Sequence, residues 1–554
     1  MPPSSGRQPP PSRRSRIADR DPRVEAIYVQ LETAPRRDPR LNARQVARRA
    51  GLIGWRVEPV VDDWTEVELV PRRRVQPSTA WDAAYRLRAQ PEVVHAHPMF
   101  RYLVPENADR PTRKRSGAEA PHDPATATEY DWSLRKANVL AAWQLFGSLP
   151  PGGGVKVGHP DTGYTAHPEL ADAARILAAD GYDYEEDDPD PLDPLADGRL
   201  QHPGHGTSTG SVILSGAGGA VGGHGPFVSG AAPHALLVPI RTTESVVLFS
   251  MRGLRRALDH ARSAAVSVIS ISLGGPFEGF GTHRAMRRAV DAGAIIVAAA
   301  GNQVGFVVFP AAFDEAIAVA ASNIHDQPWT GSSRGDAVDI TAPGESVWRA
   351  RTVRDRNGEL TFLVERGNGT SYATATMAGI AALWVSYHGA STLAHKYGAA
   401  NIARVFKQLL QATCRTPKGW NTEDYGPGIV DAAALLKARL PDVVRARKWR
   451  DPARAAVASD GTGLEALIHL FPGERRARIE ALLAAILKVT ERELPRAVQL
   501  FGEEIAFQLA MRPALLESSR RSLTGIQSRT VANSVRRRLA ASGTSRRLSA
   551  RLRR

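Results

Sequence analysis

Short apolar runs alternate with amphipathic stretches from about residue 131 to residue 440. The apolar runs have the length of strands and read VKVGH, ALLVPIR, VSVISISL, AIIVAAA, AIAVAA and VDITAP. Strands that are apolar throughout are covered on both faces, as in a parallel sheet. The intervening stretches, such as SMRGLRRALDHARSAA and THRAMRRAVDAG, show helical spacing of their apolar residues. The pattern therefore predicts an α/β domain over residues 128–440, with a parallel sheet wound with helices.

A different pattern precedes this domain. Residues 24–104 contain strand-like runs such as VEAIYVQLE and WTEVELVP, two helical stretches, and a last strand-like run VVHAHPMFRYLVP. They predict a small α+β domain. Residues 1–22 are rich in Pro, Ser and Arg and predict disorder. Residues 105–127 are polar, with Pro, Gly and mixed charge, and predict a linker.

Strand signals end after residue 440. Apolar residues recur at helical spacing in ARIEALLAAILKVTERELPRAVQLF and EEIAFQLAMRPALLE, which predicts a helical module over residues 441–517. Residues 518–554, here called the basic tail, hold eleven arginines and no acidic residue. An acidic partner, nucleic acid or an anionic membrane would bind such a tail, but a solvated tail without a specific ligand has the same composition.

Composition limits the remaining choices. A chain of 554 residues with 43% hydrophobic content exceeds what one core usually organises, so several folding units are expected. The single cysteine, Cys414, cannot form an intramolecular disulfide and is interpreted as a core thiol. The opening MPPSSGRQPPPSRRSR lacks the apolar segment of a secretory signal, and no run approaches the roughly 20 apolar residues of a membrane span. We therefore expect a cytoplasmic protein, of an oligomeric state that the sequence does not determine.

Three segments of the α/β domain supply the groups that a serine hydrolase needs. In VKVGHPDTG, Asp161 follows an apolar strand, which places its carboxylate at the carboxyl edge of the sheet. In HPGHGTSTGSVIL, His205 begins a helix-like run, and in GNGTSYATATMAGIAALW, Ser371 begins a long apolar helix whose N-terminus favours negative charge. Each segment alone is a common turn. The order Asp, His, Ser is nevertheless one of the known triad arrangements, so together the segments predict a nucleophile, a base and an orienting anion.

Together these segments resemble the subtilisin-like serine peptidases. The resemblance covers about residues 128–437 and includes YDWSLRKANVLAAWQL, SISLGG, AAAGN ending at Asn302, and YGPGIVDAAALL. It implies an endopeptidase that cleaves protein or peptide substrates through an acyl-enzyme intermediate, with Asp161, His205 and Ser371 as its triad and no cofactor required for the chemistry. It also implies that the Asn302 amide and the Ser371 backbone N–H donate to the oxyanion, although a Gly-Asn turn has a purely structural use as well.

The same resemblance implies a substrate site. Main-chain pairing with an extended peptide is expected at Ser272, Leu273 and Gly274, and a specificity pocket is expected between walls formed by Ala299, Ala300 and Gly301. Gln303 follows Asn302 where many relatives carry an acidic residue, so we expect an apolar or mixed preference. Four residues near the site depart from the usual family pattern without removing a reacting group: Ser208, Tyr372, Ala375 and Thr376.

The acidic segment GYDYEEDDPDPLDPLADG lies before the histidine. It resembles the calcium-binding loop of thermitase-like relatives, with Asp183, Asp188 and Asp190 at matching places. Hard cations such as Ca²⁺ prefer clustered carboxylates, so a structural Ca²⁺ is implied here. The alternative is a solvated acidic surface loop.

Residues 24–104 resemble, more weakly, the inhibitory propeptides of this family. The resemblance implies that VVHAHPMFRYLVP runs into the cleft and that PTRKRSG in the linker is an exposed place for cutting. An unrelated accessory domain is the alternative. Two other functions compete with an active peptidase. One is a pseudoenzyme that binds a partner without cutting it, and the other is a nucleic-acid or membrane binder that acts through the basic tail.

Overall fold

The structure is a computed structural model, which divides into two compact units, residues 1–118 and residues 119–554. The predicted disordered segment 1–22 and the predicted linker 105–127 lie outside the described residues. The structure describes residues 23–32, 38–60, 64–101, 130–170, 174–195, 202–216, 227–248, 250–275, 280–303, 306–355, 357–442, 467, 471, 476–510, 512, 515–516, 518–519, 528–541 and 543–553.

The first unit is a four-stranded antiparallel sheet with two helices. Its elements are β1 (Arg23–Leu31), α1 (Pro39–Arg49), β2 (Arg56–Pro59), β3 (Glu66–Val70), α2 (Pro77–Arg88) and β4 (Val93–Arg101), and the strands lie in the order β2-β3-β1-β4. Helix α1 begins after Asp38, whose Oδ1 accepts the Arg40 N–H at 2.9 Å. Ile27, Leu69 and Leu87 belong to a buried core of this unit. The small α+β fold predicted for this region is confirmed, including its last strand.

The second unit contains a parallel sheet of seven strands. They are β5 (Lys156–Asp161), β6 (Tyr182–Asp183), β7 (Leu236–Arg241), β8 (Val268–Ile271), β9 (Ile295–Ala299), β10 (Ala316–Ser322) and β11 (Ile340–Pro343), in the order β11-β10-β9-β8-β5-β7-β6. Every residue of β8, β9, β10 and β11 is buried, because helices cover both faces of this part of the sheet. The six apolar runs predicted as strands are all in this sheet, which confirms the predicted fold class.

The sheet grows in two directions from β5. Strand β5 pairs with β7 on one side and with β8 on the other, so the chain switches direction there. In open α/β sheets, ligands bind at the carboxyl end of the strands at such a switch point. Asp161 is the last residue of β5 and therefore lies at this point.

Ten α-helices and one hairpin accompany the sheet within the described part of residues 119–442. The hairpin is formed by β12 (Val347–Arg354) and β13 (Leu360–Gly367). In helix α8, every residue from Thr370 to Val385 is buried, so this helix runs through the interior of the unit. The helices are α3 (Trp132–Lys136), α4 (Val139–Trp143), α5 (His205–Leu214), α6 (Arg252–Ser263), α7 (Phe280–Asp291), α8 (Thr370–His388), α9 (Ala390–Tyr397), α10 (Ile402–Thr413), α11 (Thr422–Tyr425) and α12 (Ala432–Lys437).

The C-terminal part of the chain is helical beyond the predicted module. Its helices are α13 (Arg476–Leu487), α14 (Leu494–Ala510), α15 (Ser528–Ala540) and α16 (Arg546–Arg553). Helices α15 and α16 lie within the basic tail, where Val535, Leu539, Leu548 and Leu552 are buried. This differs from the solvated tail considered from composition, because apolar residues four apart give each helix a face to bury. No helix among the described residues combines the length and the apolar content needed to cross a membrane.

Candidate active site

The side chain of Asp161 is fully buried and aims one oxygen at His205. Asp161 Oδ1 lies 2.8 Å from His205 Nδ1 and accepts the Thr162 backbone N–H at 2.7 Å. Burial by itself raises the pKa of Asp161, but the charge and hydrogen bond of His205, together with His159 and the Thr162 N–H, hold that pKa below its ordinary value. The carboxylate is therefore ionised at neutral pH and can orient the imidazole.

His205 is the first residue of α5, and the turn before it needs glycine. Gly204 has a φ of 75°, in the left-handed region that glycine adopts without strain. Glycine is also needed just after His205, because a side chain at Gly206 would overlap the carbonyl oxygen of Gly163. The helix start can therefore approach the loop after β5 closely enough for His205 to reach Asp161.

Asp193 ties these two segments together. Its Oδ2 accepts the Thr162 hydroxyl and the Gly204 N–H, both at 2.8 Å, while its Oδ1 accepts the Leu195 N–H at 2.8 Å. Burial raises the pKa of Asp193 despite these hydrogen bonds. One carboxylate thus links the end of the Asp161 strand to the start of the His205 helix. The sequence does not indicate a role for Asp193, because Thr162 and Gly204 are distant from it in the chain and near it only in the fold.

Ser371 lies at the start of α8, beside the end of β8. Its side chain is 6% exposed, and its Oγ lies 3.5 Å from the carbonyl oxygen of Ser272. The Ser272 hydroxyl donates in return to the Ser371 carbonyl oxygen at 3.1 Å. The second residue of α8 is thereby fixed against the strand predicted to bind substrate.

Asn302 is held by Thr370. Its Oδ1 accepts both the backbone N–H and the hydroxyl of Thr370 at 2.9 Å. Because the amide oxygen is used in this way, the amide NH₂ is the part left to donate to a ligand. A side-chain carbon at Gly369 would lie 3.5 Å from Asn302 Nδ2 and 3.6 Å from Ser371 N, so these two donors border one small space.

A family model matches residues 152–428, half of the chain, including Asp161, His205, Asn302 and Ser371; it describes the Subtilase family. The chain belongs to the subtilase family. Thermitase from Thermoactinomyces vulgaris is 29% identical to this subtilase over 268 residues, which cover 48% of the chain and 85% of thermitase. Subtilisin E from Bacillus subtilis (strain 168) is 30% identical over 322 residues, which cover 57% of the chain and 73% of subtilisin E.

The fold has a counterpart among solved structures. Fervidolysin from Fervidobacterium pennivorans, described as a keratinolytic enzyme related to subtilisin, matches 76% of this chain and 62% of its own with a TM-score of 0.54. At 20% identity this likeness concerns the fold. The family match and the two protease relatives, thermitase and subtilisin E, identify this subtilase as a subtilisin-like serine endopeptidase that acts on protein or peptide substrates.

The predicted substrate strand already has hydrogen-bonding partners in this subtilase. The Gly274 N–H donates to the Val246 carbonyl oxygen at 3.0 Å, and the Leu248 N–H donates to the Gly274 carbonyl oxygen at 2.8 Å. Ser272 and Leu273, the other residues predicted to pair with substrate, are buried. A peptide that pairs with Gly274 as predicted therefore has to take the place of residues 246–248. The sequence does not indicate this pairing, because residues 246–248 and Gly274 are far apart in the chain.

Val308 lies between Gly274 of the predicted substrate strand and Gly301 of the predicted specificity pocket. A side-chain carbon at Gly274 would overlap Val308 Cγ2, and one at Gly301 would lie 2.9 Å from Val308 Cγ1. The backbone N–H of Val308 donates to the Ala300 carbonyl oxygen at 2.9 Å, which fixes the valine against the predicted wall. Ala299 and Ala300 are buried in that wall. The two methyl groups of Val308 thus fill space between Gly274 and Gly301, a contact that the sequence does not reveal.

Two of the four departures from the family pattern, Ser208 and Tyr372, contact the β12–β13 hairpin. The Ser208 hydroxyl donates to the Ala350 carbonyl oxygen at 2.7 Å and accepts from Arg349 at 3.3 Å. The Arg349 guanidinium lies 5.6 Å from the ring centroid of Tyr372, whose pKa is raised by burial. Ala375 and Thr376 are buried within α8. Ser208 and Tyr372 therefore join the hairpin to the helices that carry His205 and Ser371.

The residues predicted to bind Ca²⁺ do not fit a shared ion. Among the described residues, the carboxylates of Asp183, Asp188 and Asp190 do not come close enough together to form one ligand group. Asp183 Oδ1 accepts the backbone N–H groups of Glu185 and Glu186, and its Oδ2 forms an ion pair with the buried Arg241. Both oxygens of Asp183 are therefore engaged, one of them by a cation of the protein itself.

Proposed function

We propose that this subtilase cleaves peptide bonds with Ser371 as nucleophile, His205 as base and Asp161 as the anion that orients the base. The observation that carries the proposal is the 2.8 Å contact between Asp161 Oδ1 and His205 Nδ1. Since the carboxylate accepts from Nδ1–H, the other ring nitrogen, Nε2, carries the free electron pair needed to take the Ser371 proton. Because the carboxylate is buried, water does not compete with His205 for its hydrogen bonds.

In this proposal, Ser371 Oγ attacks the scissile carbonyl carbon as its proton passes to His205 Nε2. The negative charge that develops on the carbonyl oxygen is stabilised by Asn302 Nδ2 and the Ser371 backbone N–H. His205 then gives the proton to the leaving amine, which departs and leaves an acyl-enzyme on Ser371. Water, deprotonated by His205, hydrolyses that ester and restores the free serine.

The proposed substrate is an extended peptide with a small residue on the acyl side of the scissile bond. When this peptide pairs with Gly274, its main-chain hydrogen bonds replace those that Val246 and Leu248 make with Gly274 in the structure. The size limit comes from Val308, whose methyl groups occupy the space between Gly274 and Gly301. A preference for small residues is narrower than the apolar or mixed preference expected from the sequence.

Because Asp183 already pairs with Arg241, the proposal includes no Ca²⁺ at the acidic segment.

We also propose that the first unit restrains the peptidase as a product-like inhibitor. Two observations support this proposal. Residues 24–104 resemble inhibitory propeptides, and they belong to a compact unit that has its own buried core and whose last strand is β4. A folded unit restricts the motion of the segment that follows it, which lowers the entropy lost when that segment binds.

Labelling with a fluorophosphonate probe tests the triad. The parent protein should be labelled on Ser371, and Ser371→Ala and His205→Ala should abolish both labelling and hydrolysis of casein. Ser386→Ala provides the matched control, since Ser386 lies on the same helix and its hydroxyl contacts the Gly153 carbonyl oxygen at 3.1 Å. Labelling of Ser371→Ala at the parental level would show that another residue is the nucleophile.

A further inference from the structure

A second histidine lies beside the carboxylate of Asp161. His159 precedes Asp161 by two residues on β5, so both side chains lie on the face of the sheet that α5 covers. Its imidazole is 1% exposed, and its Nε2 lies 2.9 Å from Thr209 Oγ1 and 3.7 Å from Asp161 Oδ2. The proposed mechanism assigns no step to this buried titratable group.

Thr209 connects the two side chains. Its hydroxyl lies 3.2 Å from Asp161 Oδ2, and it is also within 3.1 Å of the His205 carbonyl oxygen. Asp161 Oδ1 faces the His205 ring, so Oδ2 is the oxygen that Thr209 and His159 approach. The four side chains form one continuous chain of contacts from His159 through Thr209 and Asp161 to His205.

The surroundings select one tautomer of His159. If Nε2 carries the proton, it donates to Thr209 Oγ1, and Thr209 keeps its own proton for Asp161. If Nδ1 carries it instead, the bare Nε2 accepts a hydrogen bond from the Thr209 hydroxyl, which then no longer donates to Asp161, and the Nε2 electron pair lies 3.7 Å from the carboxylate. Nδ1 has no hydrogen-bond partner among the residues that the structure describes, so a proton there would be a buried donor without an acceptor. The contacts therefore favour a neutral imidazole with its proton on Nε2.

The charges around His159 agree with a neutral ring. Burial lowers the pKa of His159, with Asp161 opposing that effect and His205 adding to it. Of the strands that pair with β5, β7 ends in Arg241 and β8 carries no ionisable side chain. On the helices that cover this face, α5 carries His205, and α8 carries Tyr372 near its start and a further histidine in its last turn.

We infer that His159 is a positioning residue of the catalytic site, which fixes the Thr209 hydroxyl as a donor to Asp161 Oδ2; the inference rests on the proposed triad. Held at both oxygens, the carboxylate keeps Oδ1 directed at His205. A purely space-filling role does not account for an imidazole at this position. A buried ring with a bare Nδ1 costs stability that an aliphatic residue of similar volume would avoid.

Three variants separate these roles. His159→Leu removes both ring nitrogens at similar volume, His159→Gln retains an N–H near the place of Nε2, and Thr209→Val removes the hydroxyl. Loss of the donor leaves more negative charge on the carboxylate, which strengthens the hydrogen bond that it accepts from His205. We expect His159→Leu and Thr209→Val each to lower kcat/KM by about three- to tenfold. The acid limb of the pH profile should also move up by roughly half a pH unit in both.

The pattern across the variants decides the inference. His159→Gln should stay within about twofold of the parent, and the double variant should be no worse than either single one, because both substitutions break the same chain. His388→Leu is the control, a partly buried histidine in the last turn of α8. A parental pH profile for His159→Leu, equal loss in His159→Gln, or additive losses in the double variant would each overturn it. An altered melting temperature with an unchanged profile would assign His159 to packing alone.

A measurement that needs no turnover separates this inference from the proposed function. Proton NMR of the full chain should show the low-field Nδ1–H signal of His205 in its contact with Asp161, and His159→Leu and Thr209→Val should both shift it. If the parent is neither active nor labelled at Ser371, the proposed function fails, while the signal still tests the chain of contacts. A signal that both variants leave unmoved would overturn the inference even in an active enzyme.

Discussion

Replacement of Asn302 by alanine tests the proposed oxyanion donor most directly. The amide oxygen is held by two donors from Thr370, so the NH₂ group is oriented before substrate arrives. Loss of such a donor lowers kcat by about a hundred- to a thousandfold, or about 2.7 to 4 kcal/mol. Asn302 is exposed, so water can replace part of the lost hydrogen bond, and we expect a value near a hundredfold. KM should change little, because the donor acts mainly on the transition state.

Two further variants rank the contributions. Asn302→Asp keeps the oxygen that Thr370 needs but places a negative charge where the oxyanion forms, so it should be at least as impaired as Asn302→Ala. Thr370→Val removes one of the two donors to the Asn302 oxygen and leaves the other, so about tenfold or less should be lost. The assay is kcat and KM for a chromogenic peptide at a pH where all variants are folded. A change confined to KM, or an Asn302→Asp variant more active than Asn302→Ala, would refute the assignment.

Five other outcomes follow from the structure. Asp161→Asn should lower kcat by about 10⁴-fold because a neutral orienter favours the wrong tautomer of the base; parental turnover would require another triad. Because the folded-state pKa of Asp161 is lowered, its ionised form contributes stability above about pH 3.9 that is lost as pH falls. The difference in melting temperature between the parent and Asp161→Asn should therefore shrink below that pH. Val308→Gly should raise kcat/KM for phenylalanine relative to alanine on the acyl side by about 10- to 100-fold, and an unchanged ratio would remove Val308 from the pocket. Asp193→Asn turns an NH₂ group toward backbone or hydroxyl donors and should cost about 1 to 3 kcal/mol in urea unfolding, whereas parental stability would show that the tie is dispensable. A 1–110 fragment, shown by circular dichroism to be folded, should inhibit a chain that begins near Pro124, and absence of inhibition would make the first unit an accessory domain.

The strands and the catalytic segments could be predicted because their signals are local. The composition of an apolar run such as AIIVAAA is enough to predict a buried strand, and β9 lies within that run. The contact of Asp161 with His205 follows from a strand end and a helix start on the same edge of one sheet. Their catalytic roles stay predictions that the proposed experiments address.

The remaining features depend on contacts between segments far apart in the sequence. Nothing in the run VVFP indicates that Val308 lies against Gly274 and Gly301, and nothing beside His159 indicates that Thr209 faces it. The helices of the basic tail were not predicted because composition, rather than spacing, was used to interpret it. Its arginines dominate the composition, while the few leucines that α15 and α16 bury determine its fold.

If the substrate pairs with Gly274 as proposed, residues 246–248, which pair with Gly274 in the structure, compete with it from within the same chain. If residues 246–248 leave Gly274 free for only a fraction of the time, the apparent affinity for every peptide is the intrinsic affinity multiplied by that fraction. A peptide compensates by offering both a backbone acceptor and a backbone donor in an extended conformation, as Val246 and Leu248 do. Segments locked in helices or sheets of a folded protein cannot make that exchange. On this proposal, pairing at Gly274 favours unfolded chains over native proteins before any side chain is recognised.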